Sequence, residues 1–163
     1  MGVCDARFHA RRGELLDVLA LPGFIAERDH RTIGLATYRL ENDECELAFI
    51  ATLERHAGVG TALLNALLRA VSQCDRIWLV TTNDNLEALR FYQRRGFVLS
   101  ALRLGAADQA RVQLKPQIST VGEFGIPLAT KSNSSCGESS TRGPPADRGA
   151  GTGPMRTAPR GMV

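Results

Sequence analysis

A glycine-containing turn between a strand and a helix carries residue types that are suited to binding an anion. Gly58 and Gly60 follow the apolar run 47–50 and precede an amphipathic helix. Glycine lets the backbone approach a ligand closely, and the first turn of a helix presents N–H groups that have no partner within the helix. The positive end of the helix dipole also attracts negative charge. The sequence therefore predicts that residues 56–61 bind a phosphate group.

Two well-known phosphate-binding motifs do not fit this turn. A Walker loop ends in Gly-Lys-Ser/Thr, and the turn contains no lysine. A Rossmann fingerprint needs a third small residue where Leu63 stands, and an acidic residue about 20 positions further on, where Arg76 and Ile77 lie. The glycine pair alone leaves two alternatives open, which are a phosphate-binding turn of another kind and a turn with a purely structural role.

A second motif lies downstream, and the two motifs together carry a family resemblance. The pattern Arg/Gln-x-x-Gly-x-Gly/Ala is matched by Arg55, Gly58 and Gly60. The pattern Asn-x-x-Ala-x-x-x-Tyr-x-x-x-Gly-Phe is matched by Asn85, Ala88, Tyr92, Gly96 and Phe97. At this spacing the pair resembles the GNAT superfamily of acyl-CoA-dependent N-acetyltransferases, and most closely a prokaryotic branch of it. The resemblance covers about residues 24–128.

The resemblance implies that acetyl-CoA is the co-substrate. Its pantetheine arm would lie where two central strands part, bonded to main-chain groups of Ile50 and Thr52. Its pyrophosphate would contact the N–H groups of the glycine turn. Asn85 is a further candidate, although helix capping alone also explains an asparagine there. The implied cofactor-binding residues are Ile50, Thr52, Arg55, His56, Ala57, Gly58, Val59, Gly60, Thr61, Asn85 and Tyr92.

Tyr92 and Glu46 are the candidate catalytic residues. The resemblance implies that Tyr92 returns a proton to the CoA thiolate, and the alternative is a core aromatic beside Leu89. An amine acceptor with a pKa of about 10.4 is mostly protonated at neutral pH, so a general base is useful. Glu46 is the first candidate for this base, and Glu44 is the second because strand register cannot be fixed from sequence. A solvated charge on a strand face explains Glu46 equally well.

Composition argues against several other classes of protein. Residues 1–128 contain 15 Lys+Arg and 15 Asp+Glu, whereas residues 129–163 contain 5 and 2. The net charge of +3 thus comes from the tail and does not indicate a nucleic-acid surface. The four cysteines lack zinc-site spacing, so we expect no metal. Without a membrane-length apolar run or a leader, we expect a cytoplasmic protein with reduced thiols.

Hydrophobic periodicity and turn signals predict the elements that would position these residues. The polar tetrad 28–31 separates two apolar runs and predicts a β-hairpin, and residues 44–53 predict a third antiparallel strand. Apolar residues at a period of 3.6 predict a helix from the glycine turn to Val71. The run 77–80 predicts a buried strand parallel to the strand before that helix. A second helix is predicted over 86–95.

The ends of the chain are expected to differ from the family. Residues 1–23 are a short N-terminal segment in which 14–21 could form two helical turns, and 24–128 are the acetyltransferase domain. Residues 129–163 contain no Leu, Ile, Phe, Trp or Tyr. Such a tail cannot offset an ordering entropy of roughly 1–2 kcal/mol per residue, so we expect it to be disordered. The family pattern has an acidic strand after Leu128, and we expect this last strand to be missing.

These observations combine into one prediction of fold and function. The fold class is α/β (α+β), with a mostly antiparallel sheet, a splayed parallel pair of central strands and flanking helices. The resemblance implies an enzyme that transfers an acetyl group from acetyl-CoA to a primary amine of a small molecule or protein. The alternative is a catalytically impaired relative that binds acyl-CoA or a partner without turnover.

Overall fold

The computed structural model describes residues 7–11, 13–54, 57–137 and 156–160. In chain order its elements are β1 (Phe8–Arg11), β2 (Glu14–Asp17), β3 (Gly23–Arg28), β4 (Arg31–Glu41), β5 (Glu44–Thr52), α1 (Val59–Ala70), β6 (Arg76–Thr82), α2 (Leu86–Gln93), β7 (Val98–Arg103), α3 (Ala106–Gln113), a 3-10 turn (Glu123–Gly125), β8 (Lys131–Gly137) and β9 (Arg156–Arg160). This is the mixed α/β class that the sequence predicts. Within the described ranges, no helix combines the length and the apolar character needed to cross a membrane.

The described residues form two compact units. Residues 18–77 and 156–160 make up the α1 unit, whose strands lie in the order β5, β4, β3, β9. Residues 7–17 and 78–137 make up the α2–α3 unit, in which β7, β8 and β6 lie in that order and β1 pairs with β2. The boundary falls within β6, after Ile77. All strand pairs of known register in both units are antiparallel.

Two tight turns connect β3, β4 and β5, three consecutive strands of the α1 unit. Asp29 and His30 join β3 to β4 with φ of 49° and 60°, and Asn42 and Asp43 join β4 to β5 with φ of 49° and 61°. Positive φ at both central residues is the type I′ geometry, whose twist matches that of the flanking strands. The predicted hairpin and third strand are therefore confirmed.

Helix α1 packs its apolar face against these strands, as its periodicity predicts. The buried members of this face are Val59, Leu63, Leu64, Ala66 and Leu67, and the C-cap residue Val71 is buried as well. Leu68, which the sequence also assigns to the buried face, is half-buried. Fully burying an aliphatic side chain contributes about 1.5–3 kcal/mol, so this face fixes the helix on the sheet.

The expectation of helical turns over 14–21 is wrong for the first half of that segment. Glu14–Asp17 is strand β2, which pairs with β1 in the register Phe8↔Asp17 to Arg11↔Glu14. Gly13 in the turn has a φ of +85°, which favours glycine. Arg7 and Asp17 form an ion pair of 2.6 Å at the open end. Pairing with β1 satisfies the backbone of this segment, and so tertiary context overrides local helix propensity.

The expectation of a disordered tail without a last strand is also contradicted where the structure describes that tail. Lys131–Gly137 forms β8 and pairs with β7, while Arg156–Arg160 forms β9 and pairs with β3. Ser132, Asn133 and Ser134 are buried within β8. Backbone hydrogen bonds to a neighbouring strand do not depend on apolar side chains, which is why a polar segment occupies this place. The other residues from 138 onward lie outside the described ranges.

Candidate functional site

The N-terminus of α1 is capped by backbone alone. Gly58 is the N-cap residue, with φ 75° and ψ −3°, and its carbonyl accepts the first helical bond from Ala62 N at 3.0 Å. No side chain caps this end, and no acidic residue lies in the first turn, all of whose residues are described. Helix geometry leaves first-turn N–H groups without an intrahelical acceptor and places about half a positive charge there. This end of α1 can therefore bind an anion.

A close approach to β4 fixes where α1 begins. A Cβ atom built on Gly34 would lie 2.8 Å from Cγ1 of Val59, 3.0 Å from Cδ1 of Leu63 and 3.2 Å from the carbonyl oxygen of Ala51. Real Cβ atoms essentially never show the first of these distances, and the other two are tight, so the neighbouring side chains would have to shift. The absence of a side chain at Gly34 thus allows the first turn of α1 to rest on the sheet.

The carboxyl end of β5 lies beside this helix start. Ile50 pairs with Ala36, and Thr52 pairs with Gly34. Leu53 N donates to the carbonyl of Ile33 at 2.8 Å, which continues the ladder one residue past the strand. The ladder also contains a bulge, because its register shifts between Thr37 and Tyr38, which lie opposite Phe49 and Leu47. Bulges redirect the side chains of a strand and are common next to binding sites.

An ion pair neutralises the acidic residue nearest the turn. Arg28 Nη1 and Glu54 Oε2 are 2.5 Å apart. Glu54 is the last described residue before the glycine turn, and Arg55 and His56 lie outside the described residues. Because Arg28 balances the Glu54 carboxylate, the approach to the helix start carries little net negative charge.

The predicted site residues fall into both units. Those of the α1 unit are Glu46, Ile50, Thr52, Ala57, Gly58, Val59, Gly60 and Thr61, whereas Asn85 and Tyr92 belong to the α2–α3 unit. Within the α1 unit, the end of β5 and the start of α1 converge through Gly34, which pairs with Thr52 and approaches Val59.

Glu46 is buried and ion-paired. Its side chain is 2% exposed, and its Oε2 accepts a hydrogen bond from Nη2 of Arg39, the residue opposite it on β4, at 3.0 Å. The interpretation of Glu46 as a solvated charge on a strand face is therefore wrong. The fallback candidate, Glu44, is half-buried and lies 3.3 Å from Nη1 of Arg76.

Tyr92 and Asn85 have clear local environments. The Tyr92 side chain is buried, with its ring centroid 5.1 Å from that of Phe91 and 5.5 Å from that of Phe97. Asn85 is the N-cap residue of α2, and its Oδ1 accepts a hydrogen bond from Ala88 N at 3.1 Å. The capping interpretation of Asn85 is confirmed, and its amide nitrogen is a separate group that capping does not use.

Two residues next to Asn85 hold the segment that follows α3. Asn83 donates from Nδ2 to the carbonyl of Pro127 at 2.9 Å and accepts from Thr130 N at 3.1 Å. Asp84 is buried and accepts from Glu123 N at 2.9 Å. The sequence analysis considers helix capping only for Asn85 and does not predict these contacts of Asn83 and Asp84. The length of the polar run 83–85 is the feature of the sequence that indicates such contacts, because capping α2 requires only one of its three residues.

The described cysteines show no sign of a nucleophilic role. Burial raises the pKa of the Cys136 thiol. Burial, followed by the negative charges of Asp43 and Asp75, raises the pKa of Cys74. Cys45 is fully buried. A nucleophilic cysteine has a lowered pKa, so thiolate catalysis is not supported by these environments.

Comparison with known proteins gives matches in sequence and in fold. The model of the acetyltransferase (GNAT) family matches residues 5–97. The Bacillus subtilis (strain 168) protein YdhI is 39% identical over 109 residues, which are 65% of this chain and 68% of YdhI. A GNAT family acetyltransferase from Elizabethkingia anophelis with acetyl-CoA bound has a TM-score of 0.62 and 21% identity, over 74% of this chain and 78% of its own. A Bacillus subtilis acetyltransferase in complex with CoA has a TM-score of 0.60 and 19% identity, over 69% and 74%. These two structures share the fold of the chain.

Proposed function

The chain belongs to the acetyltransferase (GNAT) family, and we propose that it transfers an acetyl group from acetyl-CoA to a primary amine of a small molecule or protein in the cytoplasm. The observation that carries this proposal is the start of α1, whose first turn has neither a side-chain cap nor an acidic residue. A diphosphate is the part of acetyl-CoA that such a helix end would bind.

The residues around the glycine turn would hold the co-substrate. N–H groups of Val59, Gly60 and Thr61 would face the diphosphate, and Gly58 leaves space because nothing lies within 4 Å of a Cβ built there. Ile50 and Thr52 would offer main-chain groups to the pantetheine arm. Ala57, and Arg55 and His56 outside the described residues, complete the turn. Asn85 would use its amide nitrogen.

Two side chains would move the protons. When bound, acetyl-CoA supplies an acetyl group that is activated as a thioester. Glu46 would accept the proton that the amine loses as its nitrogen bonds to the acetyl carbon. Tyr92 would donate its hydroxyl proton to the sulfur as the carbon–sulfur bond breaks. Acid–base groups of this kind typically contribute about 10²–10⁴-fold in rate.

The buried ion pair of Glu46 and Arg39 favours a second candidate function, which is binding of acyl-CoA without turnover. The Glu46 carboxylate is engaged by Arg39 at 3.0 Å and would have to leave this pair to contact an amine. Calorimetric titration with acetyl-CoA, followed by an assay of thiol release with a panel of amines, separates the two. Binding with amine-dependent release supports acetyl transfer, binding without release supports the second candidate, and absence of binding contradicts both.

A further inference from the structure

The α2–α3 unit contains a cavity of about 190 Å³ that the proposed acetyl transfer does not use. Three separate parts of the unit line it, which are the β1–β2 hairpin, the strands β6, β7 and β8, and helix α3. Its lining includes Ala10, Trp78, Arg103, Gln109, Gln113 and Lys131. An engineered apolar cavity of about 150 Å³ accommodates benzene, so this cavity has room for a ring with a small polar group.

Two cations face each other across the strands that line this cavity. Arg103 of β7 lies directly opposite Lys131 of β8 in the strand register. Like charges in directly opposed positions destabilise a strand pair. None of the described lining residues is acidic, and Asp108, on α3, is already paired with Arg111. A negatively charged ligand between the two side chains would be attracted by both of them.

Partly buried hydrogen bonds hold both cations in place, although the Arg103 side chain is itself exposed. Asn133 is 4% exposed, and its Oδ1 accepts from Arg103 Nε at 3.2 Å. The two terminal nitrogens of Arg103 have no hydrogen-bond partner among the described residues. Lys131 Nζ donates to the carbonyl of Ala10 at 2.8 Å, which places its charge at the hairpin wall. The guanidinium therefore offers a preformed fork of donors.

The remaining walls select for an apolar body that carries a single polar end. Trp78 is 3% exposed and forms an aromatic surface, while Ala106 and Ala110, one helical turn apart on α3, leave space above it. Gln109 and Gln113 add neutral hydrogen-bonding groups. We propose that this cavity binds a small organic carboxylate, with its carboxylate between Arg103 and Lys131 and its apolar body against Trp78. This site goes beyond the acetyl transfer proposed above and does not depend on it.

Benzoate and its neutral isostere benzamide test the proposal on the full chain. Both would be titrated by calorimetry and by the change in melting temperature. We expect saturable binding of benzoate, with benzamide at least about tenfold weaker because it cannot pair with the cations. Equal binding of the two compounds, or no benzoate binding by the wild-type chain, would overturn the proposal.

Single-residue variants test whether benzoate binds in this cavity. Arg103→Gln should weaken benzoate at least about tenfold while leaving benzamide unchanged, because only the charge pairing is lost. Ala110→Leu should fill the cavity and remove binding of both compounds. Arg94→Gln, an exposed arginine outside the cavity lining, is the control and should bind like wild type. Melting curves without ligand show whether each variant is folded. Benzoate binding that survives Arg103→Gln in a folded protein would place the ligand elsewhere and contradict the assignment.

Discussion

Gly34 of β4 and Val59 of α1 lie so close together that a Cβ atom added at Gly34 would force the Val59 side chain to shift. A Cβ atom at Gly34 would lie 2.8 Å from Cγ1 of Val59. This contact joins the strand that pairs with the end of β5 to the first turn of the helix that we propose as the diphosphate site. The position of the backbone donors thus depends on a glycine that lies outside both sequence motifs.

Gly34→Ala should displace the first turn of α1. Overpacking of this kind costs about 1–3 kcal/mol, so we expect a lower free energy of unfolding and weaker CoA binding. The double variant Gly34→Ala/Val59→Ala removes Cγ1 and should recover part of both losses. Chemical denaturation and calorimetry of the four proteins of this cycle measure the coupling. If the losses of stability and of CoA affinity in the two single variants simply add up in the double variant, the Val59 contact does not set the helix position.

Tyr92→Phe should slow acetyl transfer while CoA binding remains unchanged. The replacement keeps the ring contacts with Phe91 and Phe97 but removes the hydroxyl proton that we assign to the leaving sulfur. Loss of a general acid typically lowers the rate by about 10²-fold or more. The other tyrosine of the chain, Tyr38, stacks on Phe24 in the α1 unit and offers the matched control Tyr38→Phe. Turnover that is equal in the two variants would remove Tyr92 from this role.

Removing buried hydroxyls from β8 should stabilise the protein. Ser132 and Ser134 are 2% and 1% exposed, and their Oγ atoms have no hydrogen-bond partner within the part of the chain that the structure describes. An unsatisfied buried polar group costs about 1–3 kcal/mol, so Ser132→Ala and Ser134→Ala should each raise the free energy of unfolding by up to that amount. Ser100→Ala is the control because its Oγ donates to the Asn133 carbonyl at 3.3 Å, and it should not stabilise. Unchanged denaturation midpoints for both β8 variants would show that these hydroxyls are solvated.

The same strand shows why part of the fold escapes sequence reasoning. The β3–β4–β5 strands and α1 are predictable because turn residues such as Asn42 and an apolar period of 3.6 act locally. Strand β8 is not, because its polar residues are held by pairing with β7, a partner distant in sequence. At the candidate site, the glycine turn and Tyr92 are visible as motifs. The burial of Glu46 against Arg39 depends on strand register, which the sequence leaves undetermined.

The reactivity of Cys136 distinguishes a paired β8 from a disordered tail. Burial raises the pKa of this thiol above the usual value of about 8.5, so the folded protein carries less thiolate at pH 7.5 than an unfolded chain. In a variant with Cys4, Cys45 and Cys74 replaced by alanine, iodoacetamide should modify the folded protein more slowly than the urea-unfolded control. The folded rate should also keep rising with pH after the unfolded rate has levelled off. Equal rates and pH profiles would indicate that β8 is not formed in solution.

A calorimetric titration of CoA into the wild-type protein and the variants Thr61→Glu and Thr61→Gln tests whether the start of α1 binds the diphosphate. A glutamate in the first helical turn stabilises a helix but repels a diphosphate, so folding and binding should respond in opposite directions. The account predicts that wild type and Thr61→Gln bind CoA, that Thr61→Glu binds at least about tenfold more weakly, and that its melting temperature does not fall. Absence of CoA binding by the wild type, or equal affinity of the Glu and Gln variants, would contradict it.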